Sequence, residues 1–203
     1  MAKPQLWMLV GANGSGKSTF YMKYLKGLGL PFINADLIEK DFFPNENQSK
    51  NQSKHQSKNQ SNSYQAARVA EKIRFEQLEQ ANSFCFETVF SHPSKIDFIG
   101  KAKALGYEIV MVFMHLNDPG LNKARVSHRV SQMGHDVPED KIESRIPRVL
   151  NNVRLAIPLC DQVRVLDNSS YENPFRTIAV VKDNTTFHCE SPCPEWLLEI
   201  LPK

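Results

Sequence analysis

Short apolar runs alternate along the chain with longer segments in which apolar residues recur at helical spacing. The apolar runs predict strands at residues 6–10, 31–34, 83–86, 107–116, 162–166, 177–181 and 185–189. The periodic segments predict helices from the loop after the first strand to about residue 26, and at 64–81, 94–105, 123–132, 140–156 and 196–201. This alternation predicts an α/β fold with a parallel sheet flanked by helices, followed by a C-terminal hairpin around residues 183–184.

The strand predicted at 107–116 is apolar along almost its whole length, which indicates burial on both faces of the sheet. In open α/β sheets ligands bind beyond the carboxyl ends of the strands, so polar residues that directly follow strands are candidate site residues. Three segments meet this condition: Asn34-Ala35-Asp36, Glu87-Thr88 and Asp167-Asn168-Ser169.

Residues 47–62 form a four-residue repeat, NQSK-NQSK-HQSK-NQSN, that contains no apolar residue. A segment with nothing to bury cannot offset the entropy lost on ordering, so we expect a disordered insertion here. A basic tether that touches nucleic acid or an acidic partner is the functional alternative.

The 203 residues, of which 41% are hydrophobic, are enough for one domain spanning residues 1–203 with a sizeable core. A net charge of +3 is too small to indicate a nucleic-acid or membrane surface. No apolar stretch approaches the roughly 20 residues that span a bilayer, and the first predicted strand lies close to Met1. We therefore expect a cytoplasmic protein whose four cysteines are thiols, although Cys189 and Cys193 could also form a metal clip or a redox pair.

The first predicted strand leads into a match to the phosphate-binding pattern G-x-x-x-x-G-K-[ST], made by Gly11, Ala12, Asn13, Gly14, Ser15, Gly16, Lys17 and Ser18. Glycines let such a loop turn tightly and direct backbone N–H groups into a concavity, and the following helix adds its positive end. We predict that this loop and Thr19 bind the phosphates of ATP, with Lys17 at the β- and γ-phosphates and Ser18 on Mg²⁺. The alternative is a glycine-rich turn that binds nothing.

Phosphoryl transfer also requires a base for the acceptor hydroxyl, and Asp36 follows a predicted strand where such a base would lie. Its alternative role is the N-cap of a helix that begins at Leu37. Glu87 closes an otherwise apolar strand, so we predict that it binds substrate or water, with a structural hydrogen-bonding role as the alternative.

Four arginines lie in the two helical segments around residues 133–138: Arg125, Arg129, Arg145 and Arg148. Arginines on a mobile flap could close over a triphosphate and stabilise its spreading charge, so we predict a lid. We expect His135 in the loop to be a hydrogen-bonding residue of the lid rather than a base. The alternative is a solvated basic helix face.

Taken together, the segments GANGSGKST, FINADLI, ETVFS, RVSHRVSQMGHDVPEDKI, RIPR and VLDNS resemble the zeta-toxin family of small P-loop kinases, in particular its short chromosomal branch. The resemblance implies a P-loop kinase-like fold and an ATP-dependent kinase that phosphorylates the amino-sugar 3′-hydroxyl of UDP-N-acetylglucosamine. It also implies a possible antitoxin partner. In that family pattern Lys17 binds ATP, Asp36 is the base, Glu87 and Thr88 line the acceptor site, and Arg129 and Arg145 contact phosphate.

The resemblance leaves alternatives open. The loop between the two arginine pairs differs in length from that of the better-known toxins, so Arg125 and Arg148 are rivals to Arg129 and Arg145. The acceptor could be another small hydroxylated metabolite or a nucleoside. A nucleotide-binding module that hydrolyses ATP without transferring phosphate is a different class of function.

Overall fold

The computed structural model describes residues 3–42, 52–132 and 137–202, with side chains described from residue 62 in the second range. The strands are β1 (Gln5–Val10), β2 (Phe32–Ile33), β3 (Phe84–Thr88), β4 (Glu108–His115), β5 (Gln162–Asp167), β6 (Arg176–Lys182) and β7 (Thr185–Cys189). The α-helices are α1 (Lys17–Phe20), α2 (Ala35–Phe42), α3 (Gln52–Glu79), α4 (Ser94–Ala104), α5 (Pro119–Ser131), α6 (Glu139–Ala156) and α7 (Glu195–Ile200). A π-helical turn at Tyr21–Leu25 and a 3₁₀ turn at Lys26–Leu28 continue α1.

The strands of the described residues form one seven-stranded sheet in the order β2-β3-β1-β4-β5-β6-β7. The first five strands in this order are parallel, and β6 and β7 extend the sheet as an antiparallel hairpin. The predicted α/β fold with a parallel sheet and a C-terminal hairpin is confirmed. Because β1, β3 and β4 are parallel neighbours, the loops that follow them meet at one edge of the sheet.

Both faces of the central strands are buried. Along β1, Leu6, Met8 and Val10 belong to the larger apolar cluster, and Leu9 belongs to a separate cluster on the other face. The alternation follows from the period of two in a strand. The larger cluster also contains Phe113 of β4, and the other cluster contains Val112, so the predicted burial of this strand on both sides is confirmed. A sheet covered on both sides fixes the positions of its strand ends.

Helix α3 begins earlier than the sequence pattern predicts. Its backbone is helical from Gln52, whereas the prediction began the helix at Tyr64 and assigned residues 47–62 to a disordered insertion. Residues 52–62 therefore differ from that expectation, and residues 47–51 lie outside the described residues. The repeat contains neither glycine nor proline, and extending an existing helix is much less costly than nucleating a new one. This propagation is the physical reason for the difference.

Among the described residues, no helix combines the length and the apolar character that crossing a bilayer requires.

The Tyr107 hydroxyl ties the end of α3 to the sheet. It donates toward the carbonyl oxygens of Gln77, at 3.0 Å, and Asn82, at 2.9 Å, and the side chain is buried. We predict that Tyr107→Phe lowers the free energy of unfolding by about 1–2 kcal/mol, because partly buried carbonyl groups lose the hydrogen bond that the hydroxyl donates. Chemical denaturation would measure the change, with the exposed Tyr64→Phe as the control. Equal stability of the two variants would contradict this role.

Candidate active site

The loop between β1 and α1 has the backbone of a phosphate cradle. Gly14 and Gly16 have φ angles of +78° and +101°, which residues with a side chain rarely adopt. A Cβ atom at Gly14 would lie 2.6 Å from the Asn122 carbonyl oxygen, and one at Gly16 would collide with the Asn168 amide. The glycines are therefore required both by the turn and by the close approach of neighbouring segments.

Lys17 is the first residue of α1 and is buried. Its Nζ atom donates to the carbonyl oxygens of Gly11, at 2.9 Å, and Ala12, at 3.1 Å, and lies 3.7 Å from Glu87 Oε1. Burial lowers the pKa of the ammonium group, and the Glu87 carboxylate opposes this shift. The charge is thus held at the loop by oxygen atoms of the protein.

Glu87 joins the phosphate loop to the segment after β2. Its Oε2 atom accepts hydrogen bonds from Ser18 Oγ, at 2.7 Å, and from Asn34 Nδ2, at 2.8 Å. With the Lys17 ion pair, three residues from two segments converge on one carboxylate that is only 12% exposed. Thr88, the next residue, accepts a hydrogen bond from the Phe90 backbone N–H at 3.1 Å and lines the same pocket.

Asp36 lies in the first turn of α2, and the alternative that it caps this helix is wrong. Asn34 is the capping residue: its Oδ1 atom accepts hydrogen bonds from the backbone N–H of Asp36, at 2.7 Å, and of Leu37, at 3.3 Å. The helix begins at Ala35, two residues earlier than the pattern suggested. Asp36 therefore presents its carboxylate to the pocket without a capping role.

The four arginines occupy different environments. Arg129 NH1 lies 3.7 Å from Asp36 Oδ2, and Arg145 NH1 donates to Asn13 Oδ1 at 3.1 Å. Arg125 donates to the Asn168 carbonyl oxygen at 2.9 Å, whereas Arg148 donates to the Ser144 carbonyl oxygen within α6. Burial lowers the pKa of Arg145, with the Arg148 charge contributing in the same direction. Arg125 and Arg129 both line the pocket, and Arg129 also lies beside Asp36. Arg145 contacts the phosphate loop through Asn13, whereas Arg148 bonds within its own helix.

The centre of the predicted lid, with His135, lies in residues 133–136 and so outside the described residues. On its C-terminal side, Val137 is buried against Val126 of α5 and Ile142 of α6. This small apolar cluster packs the two arginine-bearing helices together.

Asn168 and Asn122 have individual roles that the sequence pattern does not predict. The Asn168 amide donates to the Ser15 carbonyl oxygen at 2.8 Å, and the Asn122 amide donates to the Asn13 carbonyl oxygen at 2.7 Å. Both asparagines are buried and hold the phosphate loop from outside. The position of Asn168 directly after β5 could have identified it as a site residue. Asn122 lies inside α5, where no sequence pattern indicates a contact with the phosphate loop.

A cavity of about 1150 Å³ connects these residues. One part of its lining comes from the loop residues Asn13, Gly14, Gly16, Lys17, Ser18 and Thr19, and another from Asn34, Asp36, Glu87, Thr88, Arg125 and Arg129. The volume exceeds that of a typical site for one small molecule, so the cavity has room for a nucleotide and a second substrate.

The family model described as an AAA domain matches residues 6–150. The chain belongs to this AAA domain family. The matched region of this AAA domain includes the phosphate loop, the strand end at Glu87 and most of the arginine-bearing segment. No curated protein sequence matches the chain.

Several solved structures share the fold. One is the AvrRxo1-ORF1:AvrRxo1-ORF2 complex with ATP, with a TM-score of 0.71 and 18% identity over 100% of this chain and 65% of that chain. Another is the PezAT chromosomal toxin–antitoxin system of Streptococcus pneumoniae, with a TM-score of 0.66 and 15% identity over 99% and 79% of the two chains. A candidate kinase from Chloroflexus aurantiacus has a TM-score of 0.62 and 16% identity over 85% and 92%. These likenesses confirm the P-loop kinase fold and, at the level of the fold, the zeta-toxin-like resemblance.

We predict that Gly16→Ala weakens ATP binding about tenfold or more, because a left-handed φ costs a residue with a side chain about 1–2 kcal/mol and the added methyl group collides with Asn168. Isothermal titration with ATP would measure the loss. The matched control is Gly27→Ala, where a Cβ atom meets no atom within 4 Å. Wild-type ATP affinity in Gly16→Ala would show that the phosphate loop does not bind the nucleotide.

Proposed function

We propose that this protein is an ATP-dependent kinase that transfers the γ-phosphoryl group to a hydroxyl of a small acceptor. The observation that carries the proposal is the contact of Glu87 with both Ser18 of the phosphate loop and Asn34, two residues before Asp36. A loop that only bound nucleotide would not need a second carboxylate, Asp36, in the first turn of α2. The contact supports a role for Asp36 as a base beside the phosphate cradle.

Lys17 and Ser18 form the nucleotide half of the site. Lys17 would exchange its carbonyl contacts for the β- and γ-phosphate oxygens and neutralise their charge. Ser18 Oγ is a hard oxygen ligand that now donates to Glu87 at 2.7 Å, and it would coordinate an Mg²⁺ ion that keeps most of its water ligands. A bound Mg²⁺ would neutralise phosphate charge as transfer proceeds.

Asp36 would accept the proton of the acceptor hydroxyl as that oxygen attacks phosphorus. Its neighbour Arg129 and the loop-bound Arg145 would stabilise charge on the transferring group. Glu87 and Thr88 would orient the acceptor. Asp36, Glu87, Thr88 and Arg129 line one pocket, as these roles require, and Arg145 reaches the phosphate loop through Asn13.

For the acceptor we propose UDP-N-acetylglucosamine, phosphorylated on the 3′-hydroxyl of the amino sugar. The segment resemblance to zeta toxins supports this choice, as does a cavity of about 1150 Å³ with room for a nucleotide and a second substrate. The same resemblance supports an antitoxin protein as a partner.

Incubation of the protein with ATP, Mg²⁺ and a panel of nucleotide sugars, nucleosides and neutral sugars would test the proposal, with mass spectrometry to detect an added phosphate. We expect a phosphorylated UDP-N-acetylglucosamine. Phosphorylation of another acceptor would support the kinase activity but contradict the proposed substrate. ATP hydrolysis that no acceptor alters would favour the non-transferring module.

We predict that Asp36→Asn lowers the transfer rate by roughly 10²- to 10⁴-fold with little change in ATP affinity, as loss of a general base implies. Single-turnover kinetics and ATP titration would separate the two effects. Asp41→Asn is the matched control, because Asp41 is an exposed acid of the same helix that does not line the pocket. A parallel loss of ATP affinity would assign Asp36 to nucleotide or metal binding instead.

We predict that Arg129→Ala and Arg145→Ala lower the transfer rate more than the ATP affinity, because their contact strengthens as charge spreads in the transition state. Lysine at either position should rescue only partly, since an ammonium lacks the planar fork of a guanidinium. Arg148→Ala is the control, because this exposed guanidinium bonds only within its own helix among the described residues. Equal transfer rates in all three alanine variants would show that the arginines form a solvated face.

A further inference from the structure

A second group of cations lines the cavity away from the phosphate loop. Arg74 of α3 is 5% exposed, and its guanidinium lies 5.2 Å from the centre of the Phe86 ring and 5.8 Å from that of Phe98. Among the described residues, no hydrogen-bond partner contacts its Nε atom and no carboxylate forms an ion pair with the guanidinium. A buried arginine in this condition is rare because burial strips the charge of water.

Lys95 of α4 adds a second positive charge next to Arg74. Its Nζ atom lies 3.7 Å from Glu71 Oε1, but Glu71 is about half exposed and this contact is its only ion pair in the described part of the chain. Burial lowers the pKa of Lys95, and the nearby Arg74 charge lowers it further. The acidic charge beside the two cations is thus a single carboxylate that is about half exposed.

The position of the pair separates it from the phosphate loop. Phe86 and Glu87 are successive residues of β3, so their side chains point to opposite faces of the strand. Arg74 stacks on Phe86, whereas Lys17 and Ser18 of the loop contact Glu87. Arg74 and Lys95 nonetheless line the same cavity as Asp36 and Thr88. They therefore belong to the acceptor part of the cavity.

We propose that Arg74 and Lys95 form a second anion-binding subsite, which binds a phosphate or diphosphate group of the acceptor. Arg74 would donate from its unpartnered Nε and a terminal nitrogen as a planar fork, and Lys95 would add a point charge. The kinase then selects acceptors that are already phosphorylated and transfers a further phosphoryl group to a hydroxyl near Asp36. This assignment to the acceptor rests on the proposed kinase function.

Stacking on Phe86 and Phe98 could instead be the whole role of Arg74. A cation–π contact gains less than desolvation of a guanidinium costs, so the stacking alone does not account for the burial. A purely structural role and an anion-binding role predict different effects of the substitution Arg74→Met on anion binding. Methionine keeps the apolar stem and packs well against aromatic rings, so Arg74→Met should fold with a melting temperature no lower than that of the wild type.

The test measures binding of inorganic pyrophosphate, in excess Mg²⁺, to protein already saturated with a non-hydrolysable ATP analogue. Isothermal titration should reveal one further site in the wild type. We expect Arg74→Met and Lys95→Met each to weaken this binding at least tenfold, with Arg74→Lys intermediate. Arg68→Met is the matched control, because Arg68 is an exposed arginine of the same helix outside the cavity.

The outcomes separate the subsite from the kinase proposal. Absence of a further site in the wild type, or equal pyrophosphate affinity in Arg74→Met and Arg68→Met, would overturn the subsite even if phosphoryl transfer occurs. Preferred transfer to uncharged sugars, with kcat/KM unchanged in Arg74→Met, would overturn it as well. Binding of pyrophosphate that depends on Arg74 would support the subsite even if no acceptor is phosphorylated, in which case the kinase proposal alone would fail.

Discussion

The candidate site depends on the Glu87 carboxylate more than on any other single group. It is nearly buried at the end of β3 and is compensated by the Lys17 charge and by hydrogen bonds from Ser18 and Asn34. Removing any of these partners would leave a desolvated charge poorly paired, which is costly. Because the partners come from the phosphate loop and from the segment before α2, the same requirement that stabilises Glu87 also fixes the distance between the phosphate cradle and Asp36.

The sheet makes this convergence possible. β3 lies between β2 and β1, and all three strands run in the same direction, so their carboxyl ends are adjacent. Buried residues cover both faces of β1 and β4, which leaves these strands little freedom to slip. From the other side, Asn122 and Asn168 bond to loop carbonyl groups. The phosphate loop is thus positioned by packing before any ligand contributes binding energy, which is what pre-organisation of a charged site requires.

Local chemistry made much of this predictable from sequence. The spacing of the glycines predicts the phosphate loop. Glu87 and Asp36 are predicted as site residues because ligands bind beyond the carboxyl ends of parallel strands. The side chains of Asn34 and Asp36 can both accept hydrogen bonds from backbone N–H groups of the first helical turn. Only the exact residue at which α2 begins decides which of them is the cap, and here it is Asn34. Helix α3 is longer than the sequence pattern predicts. Adding residues to the end of an existing helix requires no new nucleation and no apolar residues, so the polar repeat can continue it. Arg74 gave no signal, since nothing in a helical pattern distinguishes an arginine between two phenylalanine rings from a solvated one.

The cationic side chains near the phosphate loop contact oxygen atoms of the protein, and a bound phosphate could replace these oxygen atoms as their partners. Lys17 donates to two loop carbonyl groups, Arg145 to the Asn13 side chain, and Arg129 lies beside Asp36. The Arg129–Asp36 pair is partly exposed, so water screens it and its exchange for a phosphate contact costs little. A phosphate that drew Arg129 away would also release the Asp36 carboxylate toward the acceptor hydroxyl. Nucleotide binding and activation of the proposed base would then be coupled, because Asp36 would stay paired with Arg129 until the nucleotide is bound.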